Sequence, residues 1–462
     1  MNLYGIDIPV RNIPKLDPDF IPLLQFNRAF LKDATQPFDV AVERSGGQIA
    51  TYHTFIHGTP EMAEADRYYI HRLVKTALWM KGGFRFYISG DKDIYEDIRA
   101  AYSVGGARDF DRDFMESVFE RPFEVLYCDK VPEENTRSES IGKHANGNRI
   151  GFDVGGSDLK VSAVIDGETV FSTETVWLPK LNSDPQYHYD FICDSLKKAA
   201  EHMPSVDGVG ISASGVIVDN KSMVSHVYNK VKEADPELFE KTIKNIYLRT
   251  VHDCFGDVPM AVCNDGDVTA LAGAMSFERN NILGISMGTS EAVGFVDASG
   301  NITGWFNELA FMTIDANPKA MADEWSGDIG CGVKYLSQDG VLKLAPAAGI
   351  ALSDELTLAE KLVEIQKHME AGDPAVTDIY DSIGVYLGHT LALYCDLYGC
   401  TSALLLGRVM SGEGGEIVLN RARRVLETEY PEYAQLELLL PDEKFRRVGQ
   451  SMAAASLPEV TA

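Results

Sequence analysis

The chain is 462 residues long, 45% of them hydrophobic, and carries 42 Lys+Arg against 69 Asp+Glu, a formal charge of −27. That length allows two to four domains, since single cores rarely grow past roughly 250–300 residues. The charge opposes phosphate backbones and anionic lipid, so neither nucleic acid nor membrane is an expected partner, although a local basic pocket for a small phosphate is compatible with it.

The segment "MNLYGIDIPVRNIPKLD" lacks a basic stretch followed by an apolar one, and no run approaches the ~18 apolar residues of a spanning helix. A cytoplasmic location is expected. The seven cysteines, Cys128, Cys193, Cys254, Cys263, Cys331, Cys395 and Cys400, make no C-x-x-C pair. They read as buried reduced thiols rather than a disulfide framework or a zinc knuckle.

In chain order, "FDVAVERSGGQIATYHTFI" predicts a hairpin turning at Gly46-Gly47, "EMAEADRYYIHRLVKTALWM" a helix, and "FRFYISG" and "FEVLYC" strands. Residues 1–135 are expected to form an α/β domain of their own. The stretch "VPEENTRSESIGKHANGN", residues 131–148, is polar and almost free of large apolar side chains, which sets a linker at 136–148.

An internal repeat follows. "GFDVGGSDLKVSAVIDGETV" (151–170) and "GISMGTSEAVGFVDASGNIT" (284–303) align without a gap: Gly155 falls on Gly288, Ser157 on Ser290, Asp158 on Glu291 and Gly167 on Gly300. Each copy predicts strand, glycine turn, strand, glycine turn, strand. Between them lie a helix ("YDFICDSLKKAAEHM"), a strand ("GVGISASG"), a mostly helical stretch to about Phe255, and an apolar strand that ends at Asn264-Asp265 and runs into a small-residue helix. After the second copy the pattern is less regular to about Gly349, then helical to Tyr398. "ALLLGRVMSGEGGEIVLNRARRVLETEY" reads as strand, glycine-rich turn and helix, "LELLLPDE" as a strand, and "RRVGQSMAAASL" as a helix.

Two glycine turns offering backbone N–H groups and hydroxyls would suit a polyphosphate, where side chains at the turns would block its approach. The chain from about Arg149 onward resembles the sugar-kinase, heat-shock-protein and actin superfamily and, within it, the ROK family of sugar kinases. Five stretches carry the resemblance in order: "DVGGSDLK", "GVGISASGVIVD", "CNDGDVTALAGA", "GISMGTS" and "LLLGRVMSGEGG". It implies an α/β fold of the actin-like, RNase H-like type, a duplicated two-lobe kinase preceded by the additional N-terminal domain. One lobe would comprise residues 149–276 with 445–462 returning to it, and the other 277–444.

The resemblance also implies roles. Asp265 would be the general base, Asp153 would hold Mg²⁺, and Asn264, Glu308, Ser214, Gly215 and Asn229 would meet the acceptor. ATP would lie against Gly155, Gly156, Ser157 and Lys160, against Gly288, Thr289 and Ser290, and against Gly407, Gly412, Gly414 and Gly415. Phosphoryl transfer asks for these types, namely amides, hydroxyls and a metal along the phosphates and one carboxylate to take the acceptor proton.

The family's Glu-x-Gly-His stretch and cysteine cluster are not reproduced. Phe311 stands where the histidine is expected, Val333 where a sugar-contacting glutamate is expected, and only Cys331 is retained, so no zinc is expected. The reading is an ATP-dependent kinase for a hydroxyl of a sugar, polyol or sugar-like molecule, with a homodimer as the family expectation. The alternative is a catalytically inactive sugar- or nucleotide-binding regulator on the same fold. In "GVGISASG" Ser214 takes the place of the second glycine of a hydrolase G-x-S-x-G turn, which excludes that reading.

Overall fold

The computed structural model describes residues 1–136, 141–441 and 443–460, with backbone alone for 443–448. Part of the 136–148 linker and the last residues of the 445–462 segment lie outside the described residues. The main elements in chain order are strands β1 (Gln36–Arg44) and β2 (Gln48–Ile56), helix α1 (Ala63–Lys81), strand β3 (Arg85–Ser89), helix α2 (Asp109–Phe119) and strand β4 (Glu124–Tyr127). There follow β5 (Asn148–Val154), β6 (Asp158–Ile165), β7 (Glu168–Val176), β8 (Gly208–Ala213) and β9 (Met260–Asn264), then helix α3 (Asp265–Ser276), β10 (Ile282–Met287) and β11 (Glu291–Val296). The remainder is α4 (Pro374–Tyr398), β12 (Ser402–Leu406), α5 (Gly412–Glu429), β13 (Glu437–Leu439) and α6 (Glu443–Ala455).

These elements sort into two compact units. One comprises Met1–Arg137, Ile285–Val293 and Trp305–Leu439; the other comprises Ser138–Gly284, Gly294–Gly304 and Leu440–Ala462. Residues 1–137 thus share a unit with 305–439.

In the first unit, β1 pairs antiparallel with both β2 and β3, and β4 adds parallel to β3. The β1–β2 turn takes two successive left-handed glycines, Gly46 and Gly47, as the twist of a tight hairpin requires. A second sheet has the order β11-β10-β12-β13. The early segment is joined to the later one by backbone and side chain. The Leu23 N–H donates to the Ile314 carbonyl at 3.0 Å, the Ala316 N–H to Ile21 at 2.7 Å, and Phe20 packs on Tyr335 and Tyr386.

A buried ion cluster reinforces this join. Asp328 accepts from Lys75 at 2.5 Å and Arg72 at 2.8 Å, with Arg108 at 2.5 Å, and Lys75 is wholly buried. Burial pushes the Asp328 carboxyl upward, but the three cations prevail and hold it well below the usual carboxylate range.

In the second unit the sheet order is β9-β8-β5-β6-β7, with β8 parallel to both β5 and β9 and the β5–β6–β7 meander antiparallel. Helix α6 lies on this sheet where Gly151 and Gly210 leave the strands without a side chain. A Cβ at Gly151 would fall 1.7 Å from the Ser451 carbonyl oxygen, and one at Gly210 would fall 1.6 Å from that of Ala454. Ser162 and Ser451 hydroxyls meet at 2.8 Å, and the buried Arg149 guanidinium donates to the Pro458 carbonyl at 2.6 Å. Residues 141–147 of the expected linker run along the end of this helix, Gly142 N–H donating to Leu457 and Lys143 N–H to the Ser456 hydroxyl.

The α/β reading holds, and both copies of the repeat turn where expected, with Gly167 and Gly300 each in the left-handed region at φ +84 and +86. The copies differ at the third strand. It is nine residues long in the first copy and reduced to a single Val296–Ile302 bridge in the second. There the chain turns away through Gly304 and Asn307, both at positive φ, and Asn307 is held by the Tyr398 hydroxyl at 2.8 Å. No helix among the described residues is long and apolar enough to cross a membrane.

Asp328→Asn leaves three buried cations short of their counter-charge, and removing one partner of such a cluster costs about 3–5 kcal/mol. Denaturant unfolding of the variant should show a loss of that order, and the same measurement on an exposed pair, Lys130→Ala, should show almost none.

Candidate active site

The parallel register of β5, β8 and β9 brings three strand ends into one row. Asp153 pairs with Ser212, which pairs with Cys263, and one step further Val154, Ala213 and Asn264 are aligned. On the other side Asp153 faces Lys160 across the β5–β6 ladder. Open parallel sheets bind ligands outside such carboxyl ends.

Asp153 is almost buried, and burial raises its carboxyl to about 6; the Ser212 hydroxyl and Lys160 offset part of that, while Asp158 adds to it. Asp265 opens α3. It keeps a little exposure, but its carboxyl group is surrounded by protein, and burial first, then the charge of Asp153, pushes it up to about 7 against the pull of the Gly266 and Asp265 N–H groups. Tyr247 lies within the field of both acids. Its phenol is held neutral by burial and by those charges, and its hydroxyl meets that of Tyr228 at 3.0 Å.

Asn264 has both polar ends engaged. Its carbonyl accepts from Gly266 N–H at 2.7 Å, capping α3, and its amide donates to the Gly215 carbonyl at 2.7 Å. It therefore fixes the helix start that carries Asp265 and the Ser214-Gly215 loop together. Gly215 is at φ +100 with the Val224 carbonyl 2.1 Å from where a Cβ would sit, so no other residue fits there. Asn229 is exposed, at the start of the helix Asn229–Ala234.

The first glycine turn is closed by the Gly155 N–H donating to Asp158 at 3.0 Å and is backed by Trp177, whose indole donates to the Gly155 carbonyl at 2.9 Å. Gly156 and Ser157 face outward. The donor set of this edge fits Mg²⁺, which takes one or two carboxylates and completes its shell with water and phosphate oxygens. Asp153 is a desolvated carboxylate whose ionised form a cation would favour.

In the first unit, the second glycine turn is closed by Gly288 N–H to Ser290 at 3.0 Å and braced by Gln338 N–H to Gly288 at 2.8 Å, leaving Thr289 and Ser290 exposed. Beneath it Glu291 is buried, accepting from the Tyr394 hydroxyl at 2.7 Å; burial raises its carboxyl to about 7, the hydrogen bond opposing. Gly407, at φ +101, lets the loop after β12 cross the backbone of Met287 at a distance no Cβ would permit. Gly412 faces open space, but Gly414 and Gly415 are buried, the one under the Tyr380 ring and the other against the Met410 carbonyl. These two glycines serve the packing of α5.

Glu308 is partly exposed, its N–H held by the Trp79 carbonyl at 3.0 Å. Phe311 packs on Trp79, with ring centroids 4.4 Å apart, and on Phe110. Cys331 is buried with Lys75 Nζ 3.9 Å from its sulfur. Tyr247, Trp177 and Tyr394 gave no signal in the sequence, because each reaches its site partner from a distant segment.

Comparison with solved structures places this fold. A ROK hexokinase from Thermus thermophilus matches with a TM-score of 0.52 at 16% identity, over 67% of this chain and 96% of that one. A ROK glucokinase from Streptomyces griseus, solved with glucose and AMPPNP, matches with a TM-score of 0.45 at 18% identity over 67% and 98%. A ROK transcriptional regulator matches with a TM-score of 0.48 at 17% identity over 67% and 77%. No family model and no curated protein matches. About two-thirds of the chain therefore has the ROK-type actin-like fold, and the rest is additional.

A carboxyl whose native pKa exceeds its unfolded value, ~3.9 for aspartate, binds its proton more tightly when folded, so ionising it costs stability as pH rises from about 4 through 7. Asp265→Asn should accordingly melt higher than the parent protein at pH 8 and at nearly the same temperature at pH 4; equal melting temperatures at both pH values would contradict the raised carboxyl.

Proposed function

We propose that the protein transfers the γ-phosphoryl group of ATP to a hydroxyl of a sugar, polyol or similar small molecule. The observation that carries this reading is the pairing of Asp153 and Asp265 at one edge of a parallel sheet, both drawn toward neutral pKa values by burial. In this reading Asp265 accepts the proton of the attacking hydroxyl, and a base with a pKa near the working pH is best matched to that task. Asp153 holds Mg²⁺, which when bound neutralises phosphate charge. Asn264 positions Asp265 rather than taking the acceptor itself, and in the same unit the first glycine turn offers the Gly156 and Ser157 N–H groups and the Ser157 hydroxyl to phosphate oxygens.

A regulator that binds without turnover is the second reading. It is favoured by Phe311 and Val333, which replace two polar groups expected to meet a hexose. A screen of hexoses, amino sugars and polyols for acceptor-dependent ADP formation separates the two. Turnover with any acceptor supports the kinase, and binding without ADP formation supports the regulator.

With an acceptor in hand, Asp265→Asn should keep the fold and nucleotide affinity while kcat falls roughly 10²–10⁴-fold, the usual contribution of a general base. The base works only when ionised, so kcat/KM should fall with unit slope below a pH of about 7, and this limb should vanish from the residual activity of the variant. Asp153→Ala should raise the Mg²⁺ concentration needed for half-maximal rate. Near-normal turnover by Asp265→Asn would remove Asp265 as the base.

A further inference from the structure

The chain after β7 is stitched to the first glycine turn at two points. The Trp177 N–H donates to the Ser157 carbonyl at 3.2 Å and its indole to Gly155 at 2.9 Å. The next residues form the single helical turn Pro179–Leu181, in which Pro179 is buried and Lys180 is exposed. Lys180 is thereby brought over the turn. A Cβ placed on Gly156 would lie 3.2 Å from its Cε and 3.3 Å from its Nζ.

The charges around the turn divide unevenly. Lys160 faces Asp153 across the ladder and has its Nζ 3.9 Å from Asp158, so its charge is shared between two carboxylates. Among the described residues no carboxylate lies within ion-pair distance of Lys180. Its charge is felt instead by His226, whose cationic form is disfavoured by burial and then by Lys180. An anion seated on the Gly156 and Ser157 amides would therefore find in Lys180 a cation not already matched, with no side chain on Gly156 in the way.

We infer that Lys180 is a phosphate-binding residue whose ammonium group contacts the terminal phosphates of a nucleoside triphosphate held at the Gly155–Ser157 turn. This rests on the kinase reading for the identity of the ligand, but not for the site itself. A lysine acts here as a point charge with a flexible stem, so arginine should replace it better than any neutral residue of equal length.

The test is calorimetric titration of the full chain with ATP and, separately, with inorganic tripolyphosphate, both with Mg²⁺, for the parent protein, Lys180→Met and Lys180→Arg. Lys180→Met should weaken both ligands about tenfold or more, as expected for loss of one charge-assisted contact, and Lys180→Arg should recover most of that. Because Lys180 is exposed, the melting temperatures of all three should agree, which keeps folding out of the result. Affinity of Lys180→Met within twofold of the parent for both ligands would overturn the assignment. Parent protein that binds tripolyphosphate but not ATP, with Lys180→Met losing it, would support the site and sink the kinase reading. No binding of either ligand by the parent would overturn both.

Discussion

Two carboxyl groups drawn partly out of water at one edge of a parallel sheet set the conditions for everything proposed of this protein. Asp153 and Asp265 each lose hydration, and the charge of Asp153 makes the ionisation of Asp265 harder still. Such a pair is stable in a fold only if the backbone leaves no alternative, and here it does not. Asn264 locks the start of α3, Gly215 admits no side chain, and the strand register permits no slip without moving the whole row. The same strain is what a divalent cation relieves, so metal affinity and proton affinity at this edge oppose one another.

How far this was readable in the sequence differs from place to place. Strand, turn and strand at 151–170 declare themselves because period-two alternation and paired glycines are local signals. Local signals say nothing of what lies across a contact. The second copy of the repeat looks as complete as the first, yet its third strand is a single bridge, and just past it Asn307 is held by Tyr398 some ninety residues on. Gly414 and Gly415 look like glycines kept clear for a nucleotide, and a glycine cleared for a ligand is indistinguishable in sequence from one cleared for a neighbouring ring. Gly151 and Gly210 are the converse, silent in the sequence and indispensable to α6. Lys180 carries no motif at all, since only the stitching by Trp177 brings it to the turn.

The early segment is built into the unit that also holds 305–439. Trp79 and Phe110 pack against Phe311, and Lys75, Arg72 and Arg108 are committed to Asp328 within the same unit. The early segment thus supplies part of that unit's core, and aromatic surface stands beside Glu308 where a hexose-binding histidine is expected.

The seating of α6 has a consequence for how the protein is made. The face of the sheet that Gly151 and Gly210 keep flat is covered by Ser451 and Ala454, residues synthesised far later in the chain. On the ribosome the strands bearing Asp153 and Ser212 have no cover, and contacts of such sequence separation form late and slowly. That glycine- and serine-lined face therefore stays uncovered until α6 has been made, and the edge that carries Asp153 and Asp265 is completed only after α6 has emerged.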